Sequence, residues 1–297
     1  MFNGSVLDGG QQWLNIRYAA PSTGELRFAP TQPPPNFTDV RDATQFGSAC
    51  LQAKTSYDVH RGSEDCLFLN IYAPGNSTAL SQLPVMIWLH GAGFINGAGN
   101  DFVSTNLSRT ANTIVVTVNY RLGPFGWLAL DSLSEEQDGA SGNYGLINQI
   151  VAFQWAKNNI VNFGGNPNLV TIIGQSAGGE SVLAHVAAAP RGLFQRAVSH
   201  SSPAGLNLPS LKTVSKRNPG AFATFTGCGN FTGAAQVNCL RVLPAEKALS
   251  SANETWNLLK EGGLYWTPII QVPTLPDQWI NIYRSGNFNK VPIMFAK

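Results

Sequence analysis

The chain has 297 residues, 43% of them apolar, enough to fill the core of one large domain or two ordinary ones. Only 12% are charged, the formal net charge is +2 and the Lys and Arg are scattered, so no field would steer nucleic acid or anionic lipid, and both are discarded as partners. No run of 18 apolar residues occurs, which leaves no candidate membrane span.

Residues 1–10 lack the basic and apolar regions of a signal peptide. The first third is rich in turns, and Pro30, Pro33, Pro34 and Pro35 predict an extended segment lying on a surface. Regular structure is predicted to begin with residues 85–89 and 113–120, short β-branched runs bounded by turn residues, the pattern of strands buried on both faces of a parallel sheet. Residues 170–174, 197–199 and 291–295 read the same way, and helices are predicted over 148–159 and 177–189. This alternation predicts an α/β fold, a mostly parallel sheet with helices on both faces, and ligands near the carboxyl ends of the strands.

The sharpest local signal is Gly174-Gln175-Ser176-Ala177-Gly178, between a predicted strand and a predicted small-residue helix. That context is a nucleophile elbow: a sharp turn projects the Ser176 hydroxyl over the sheet edge, and small neighbours let the backbones pass. Acyl transfer also needs donors for an oxyanion. One is the Ala177 amide; others are expected from the glycine-rich turn His90-Gly91-Ala92-Gly93-Phe94 that ends the strand at 85–89. His90 itself reads as structural.

The four cysteines fall into two local pairs, Cys50 with Cys66 and Cys228 with Cys239, the even count of an oxidising compartment; buried free thiols are the alternative. Glycosylation acceptors stand at Asn3, Asn36, Asn76, Asn106, Asn230 and Asn253, more than composition alone predicts. Together these favour a secreted protein. No HExxH or paired CxxC spacing occurs, so neither metal nor organic cofactor is expected.

With these residues in hand the chain resembles the type-B carboxylesterase family of α/β-hydrolases. The resemblance rests on Gly24-Glu25-Leu26-Arg27-Phe28, Ser63-Glu64-Asp65-Cys66-Leu67, Asn119-Tyr120-Arg121-Leu122-Gly123, Gly142-Asn143-Tyr144-Gly145-Leu146, Phe163-Gly164-Gly165-Asn166-Pro167 and the elbow. It implies one domain over residues 1–297, a small-molecule ester as substrate, Ser176 as nucleophile, Ala92, Gly93 and Ala177 as oxyanion donors, and disulfides Cys50–Cys66 and Cys228–Cys239. It also implies an ion pair between Arg27 and Glu64. Gln175 stands where many members carry Glu, which makes a cationic ester a less obvious substrate. The loop between Cys50 and Cys66 contains no Trp and is too short for a lipase lid. Asn166 replaces an Asp expected to pair with Arg121, leaving at best a hydrogen bond.

In this fold the acid and the histidine follow the nucleophile. Beyond Ser176 stand His185 and His200, with Glu180, Glu246, Glu254, Glu261 and Asp277. Glu180 and His185 lie on the helix that leads away from the hydroxyl; His200, at the end of the next predicted strand, stays open as a substitute base. By the resemblance, the acid would follow Lys297, so the chain reads as the amino-terminal part of a domain, with an exposed apolar edge and poor solubility expected. The competing reading is a non-catalytic homologue or an incomplete gene, with a binding role or none.

Overall fold

The computed structural model describes residues 1–52, 61–202, 207–259 and 266–297. Eight strands form one sheet: β1 (Ser5–Leu7), β2 (Gly10–Arg17), β3 (Phe68–Pro74), β4 (Leu83–Leu89), β5 (Ile114–Val118), β6 (Gly165–Gln175), β7 (Arg196–His200) and β8 (Ile293–Ala296). Their spatial order is β8-β7-β6-β4-β5-β3-β2-β1. From β5 to β8 every pairing is parallel, while β1 to β3 join β5 through antiparallel pairings. The residues of β5, Ile-Val-Val-Thr-Val, are all buried, as strands covered on both faces require.

All five predicted strands are present, β6 extended backwards to Gly165. The antiparallel part was not predicted. In β3 the apolar run is interrupted by Asn70, which the fold satisfies internally: its amide donates to Thr117 Oγ1 at 3.1 Å, and its Oδ1 accepts the Asn15 N–H at 3.1 Å. In β2 the alternation is broken by a register shift between Trp13 and Ile16, where Asn15 adopts φ 60°.

Four of the helices are α1 (Tyr144–Asn159), α2 (Ala177–Ala188), α3 (Gly233–Val242) and α4 (Trp279–Ser285). α2 packs on β6, β7 and α4, and Ala177, Val182, Leu183 and Val186 on it join Ile172 and Ala197 in the main core. Tyr283 of α4 donates its hydroxyl to the Leu183 carbonyl at 2.7 Å.

Cys50–Cys66 and Cys228–Cys239 are both bonded. Arg27 and Glu64 form a two-pronged ion pair, with Arg27 Nε donating to Glu64 Oε1 at 2.7 Å. The Arg27 Nη1 donates in addition to the carbonyls of Leu240, Arg241 and Leu243, closing the carboxyl end of α3.

One expectation is corrected. Asn166 does not meet Arg121; its Oδ1 accepts the Asn168 N–H at 2.9 Å. Arg121 is buried and donates instead to Asn148 Oδ1 at 3.1 Å and to the Ala29 carbonyl at 2.9 Å, its guanidinium 5.0 Å from the Tyr144 ring centroid. Loop-to-helix packing, rather than the Asn166 turn, supplies its partners, and burial lowers its pKa to about 10.

Candidate active site

Strand β6 ends at Gln175, α2 begins at Ala177, and the whole change of direction falls on Ser176, at φ 55° and ψ −122°. For a residue bearing a side chain this left-handed φ is a strained conformation, held by its surroundings. The Ser176 N–H donates to the His200 carbonyl at 2.9 Å, and the Ser176 carbonyl accepts the Glu180 N–H at 2.9 Å as the first turn of α2 closes. Glycine is obligatory where this turn crosses its neighbours: a Cβ on Gly178 would lie 2.1 Å from the Leu89 carbonyl oxygen. The serine thus stands at the amino end of α2, where the peptide dipoles favour negative charge.

The turn after β4 comes to the same place. Ala92, Gly93 and Phe94 have consecutive left-handed φ values of 73°, 65° and 62°. A Cβ on Gly91 would sit 2.5 Å from the Gln175 carbonyl oxygen and 3.2 Å from Ser176 Cβ, so this loop runs directly against the elbow. Gln52 secures its far end, donating to the Gly97 carbonyl at 3.0 Å and accepting the Gly97 N–H at 3.0 Å. That clamp was not foreseen; the only signal for it is the position of Gln52 two residues after Cys50.

His90 is buried and stacked on Tyr120, with ring centroids 4.3 Å apart, and its carbonyl accepts the Tyr120 hydroxyl at 2.6 Å. Burial lowers its pKa to about 4, so it is a neutral packing group. His185 is likewise buried, its Nε2 2.7 Å from Gln149 Oε1 and its pKa lowered to about 3 by burial. It makes no hydrogen bond with Glu180, whose two carboxylate oxygens are buried without a hydrogen-bond partner among the described residues. His200 is half-buried at the end of β7. Among the described residues no histidine is hydrogen-bonded to Ser176 Oγ. Glu246, Glu254 and Asp277 are exposed, while Glu261 and residues 53–60 of the first disulfide loop, including His60, lie outside the described residues.

All six glycosylation acceptors, Asn3, Asn36, Asn76, Asn106, Asn230 and Asn253, are exposed. Among the described residues no group of three or more His, Cys, Asp or Glu could hold a metal ion, and no helix is long and apolar enough to cross a membrane.

Comparison with known proteins gives a consistent result. A family profile described as "Carboxylesterase family" matches residues 3–296. The para-nitrobenzyl esterase of Bacillus subtilis (strain 168) is 37% identical over 303 residues, an alignment covering 99% of this chain and 60% of that protein. Carboxylesterase 1E of Mus musculus is 35% identical, covering 94% of this chain and 52% of that protein. Among solved structures, a thermophilic PNB esterase superposes with a TM-score of 0.89 at 34% identity, covering 99% of this chain and 60% of its own. The chain therefore spans between half and two thirds of the length of these relatives.

Proposed function

The chain belongs to the carboxylesterase family, and from that premise we propose that it carries the nucleophile and oxyanion site of a carboxylic ester hydrolase. Ser176 attacks the carbonyl of a small-molecule ester. The resulting oxyanion is held by the amides of Ala92, Gly93 and Ala177; on its collapse the ester C–O bond breaks, the alcohol departs with a proton equivalent to the one the Ser176 hydroxyl gave up, and water then releases the acyl group from Ser176 as the carboxylic acid. The observation that carries this reading is the convergence of two strained turns: Ser176 in its left-handed elbow at the head of α2, and Ala92 to Phe94 in three successive left-handed residues beside it. We further propose a secreted glycoprotein, supported by two disulfides and six exposed acceptors.

The second reading, a non-catalytic homologue with a binding role, is favoured by the lack of a base on Ser176 Oγ among the described residues. One experiment separates the two. Treatment with a fluorophosphonate probe followed by peptide mass mapping should find the label on Ser176, and Ser176→Ala should abolish it. A folded chain that stays unlabelled would support the binding reading.

A further inference from the structure

Glu180 is the one residue in the first turn of α2 that brings a charge into the interior. It is fully buried, and among the described residues neither carboxylate oxygen has a hydrogen-bond partner. Its backbone is tied to the nucleophile, since its N–H closes the turn on the Ser176 carbonyl at 2.9 Å. Tyr120 anchors the turn after β4 by donating its hydroxyl to the His90 carbonyl at 2.6 Å, and burial together with the nearby charge of Glu180 pushes its phenol pKa up. The carboxyl is therefore enclosed in the interior, on the residue whose backbone closes the first turn after Ser176.

A buried carboxylate needs a cation or several donors, and the described residues supply neither. The titratable and charged side chains on the elements around α2 are His90 and Tyr120 at the ends of β4 and β5, Tyr144 and Lys157 on α1, Arg196 and His200 on β7, Tyr283 and Arg284 on α4, and His185 on α2 itself. None of them offsets the burial of Glu180, which alone pushes its pKa up to about 7.

Building on the esterase reading, we propose that Glu180 is a positioning residue that works as a neutral carboxylic acid beneath the nucleophile turn. Losing its proton places an unpaired negative charge in the first turn of α2, three residues on from Ala177, and slows acylation of Ser176. The proton goes to solvent, and no bond to substrate is made or broken at Glu180. A negative charge there opposes the one that develops on the oxyanion, and in the buried interior it is weakly screened, so the expected penalty is about tenfold in acylation rate.

The test is Glu180→Gln, which keeps the shape and fixes the neutral state, read in two ways on the full chain. In the first, the Ala177 amide resonance is followed by NMR from pH 5 to pH 9. The expected result is a single step centred near neutrality in the wild type and its absence in the variant; a wild-type resonance without that step overturns the proposal. In the second, the fluorophosphonate labelling rate of the variant divided by that of the wild type should rise from about one below pH 6 to about ten above pH 8. A flat ratio on a labelled serine overturns the proposal. An NMR step with Ser176 unlabelled in both proteins would count against the esterase reading while leaving the role of Glu180 in the field at Ala177 standing.

Discussion

The Ser176 N–H donates to the His200 carbonyl at 2.9 Å, so β7 grips the nucleophile turn through main chain, and the imidazole of His200 is not needed for that grip. His200→Ala should therefore leave fluorophosphonate labelling of Ser176 within about twofold of the wild type, whereas loss of a general base costs about a hundredfold or more. A loss of that larger size would make the His200 side chain the base. Rates from intact-protein mass spectrometry decide between the two.

Gly178 has no room for a methyl group. With the Leu89 carbonyl oxygen 2.1 Å from the position a Cβ would take, Gly178→Ala must push α2 away from β4. The expected cost is about 2 kcal/mol of stability, together with loss of Ser176 labelling as the turn after β4 and the elbow part. Urea unfolding of the variant at pH 7.5 measures the first effect; an unchanged midpoint would mean that the helix shifts freely.

Acid should weaken the fold through its buried histidines. His90 and His185 fall from 6.5 to about 4 and about 3 on burial, so the stability they contribute as neutral groups is full above about pH 6.5 and is lost as pH falls toward those values. Glu180 works the other way: with its pKa raised from 4.5 to about 7, its contribution is full below pH 4.5 and is lost as pH rises to 7. Between pH 7 and pH 5 each histidine costs about 2 kcal/mol and Glu180 restores about 2 kcal/mol, a net loss of about 2 kcal/mol. In Glu180→Gln the loss should grow to about 4 kcal/mol, since the compensating group is gone. Denaturation midpoints at the two pH values check the difference.

Strand β8 leaves one edge unpaired among the described residues, and Met294 and Phe295 on it are 63% and 66% exposed. An apolar open edge is a template for a second chain. The 297-residue chain should self-associate at micromolar concentrations, and Met294→Lys with Phe295→Lys should shift sedimentation toward monomer. A wild type that sediments as a monomer would remove this edge as a liability.

The parallel half of the sheet and the strand-turn-helix geometry at Ser176 were legible because their signals are local. The apolar run before Gly174, the glycines flanking Ser176 and the small residues of α2 lie in one short stretch of sequence. The antiparallel half was hidden because its polar residues are satisfied across strands: Asn70 reads as a strand breaker until Thr117 and Asn15 are seen beside it. The partner of Arg121 was misplaced for the same reason, since Asn148 reaches it only after α1 folds back. Glu180 reads as an ordinary acidic residue in a helical first turn, and only packing reveals that water is excluded from it.

Arg27 joins Glu64 to the carbonyl of Leu243, a residue 216 positions further along the chain. During synthesis the first third can therefore reach its final arrangement only after the ribosome has released that distant segment. Until then the Arg27 guanidinium has Glu64 and the face of the Phe125 ring, 5.9 Å from its centroid, but none of the three carbonyls at the end of α3. A contact closed across that distance is of the kind that slows folding, because the intervening chain must be ordered before the contact rewards it.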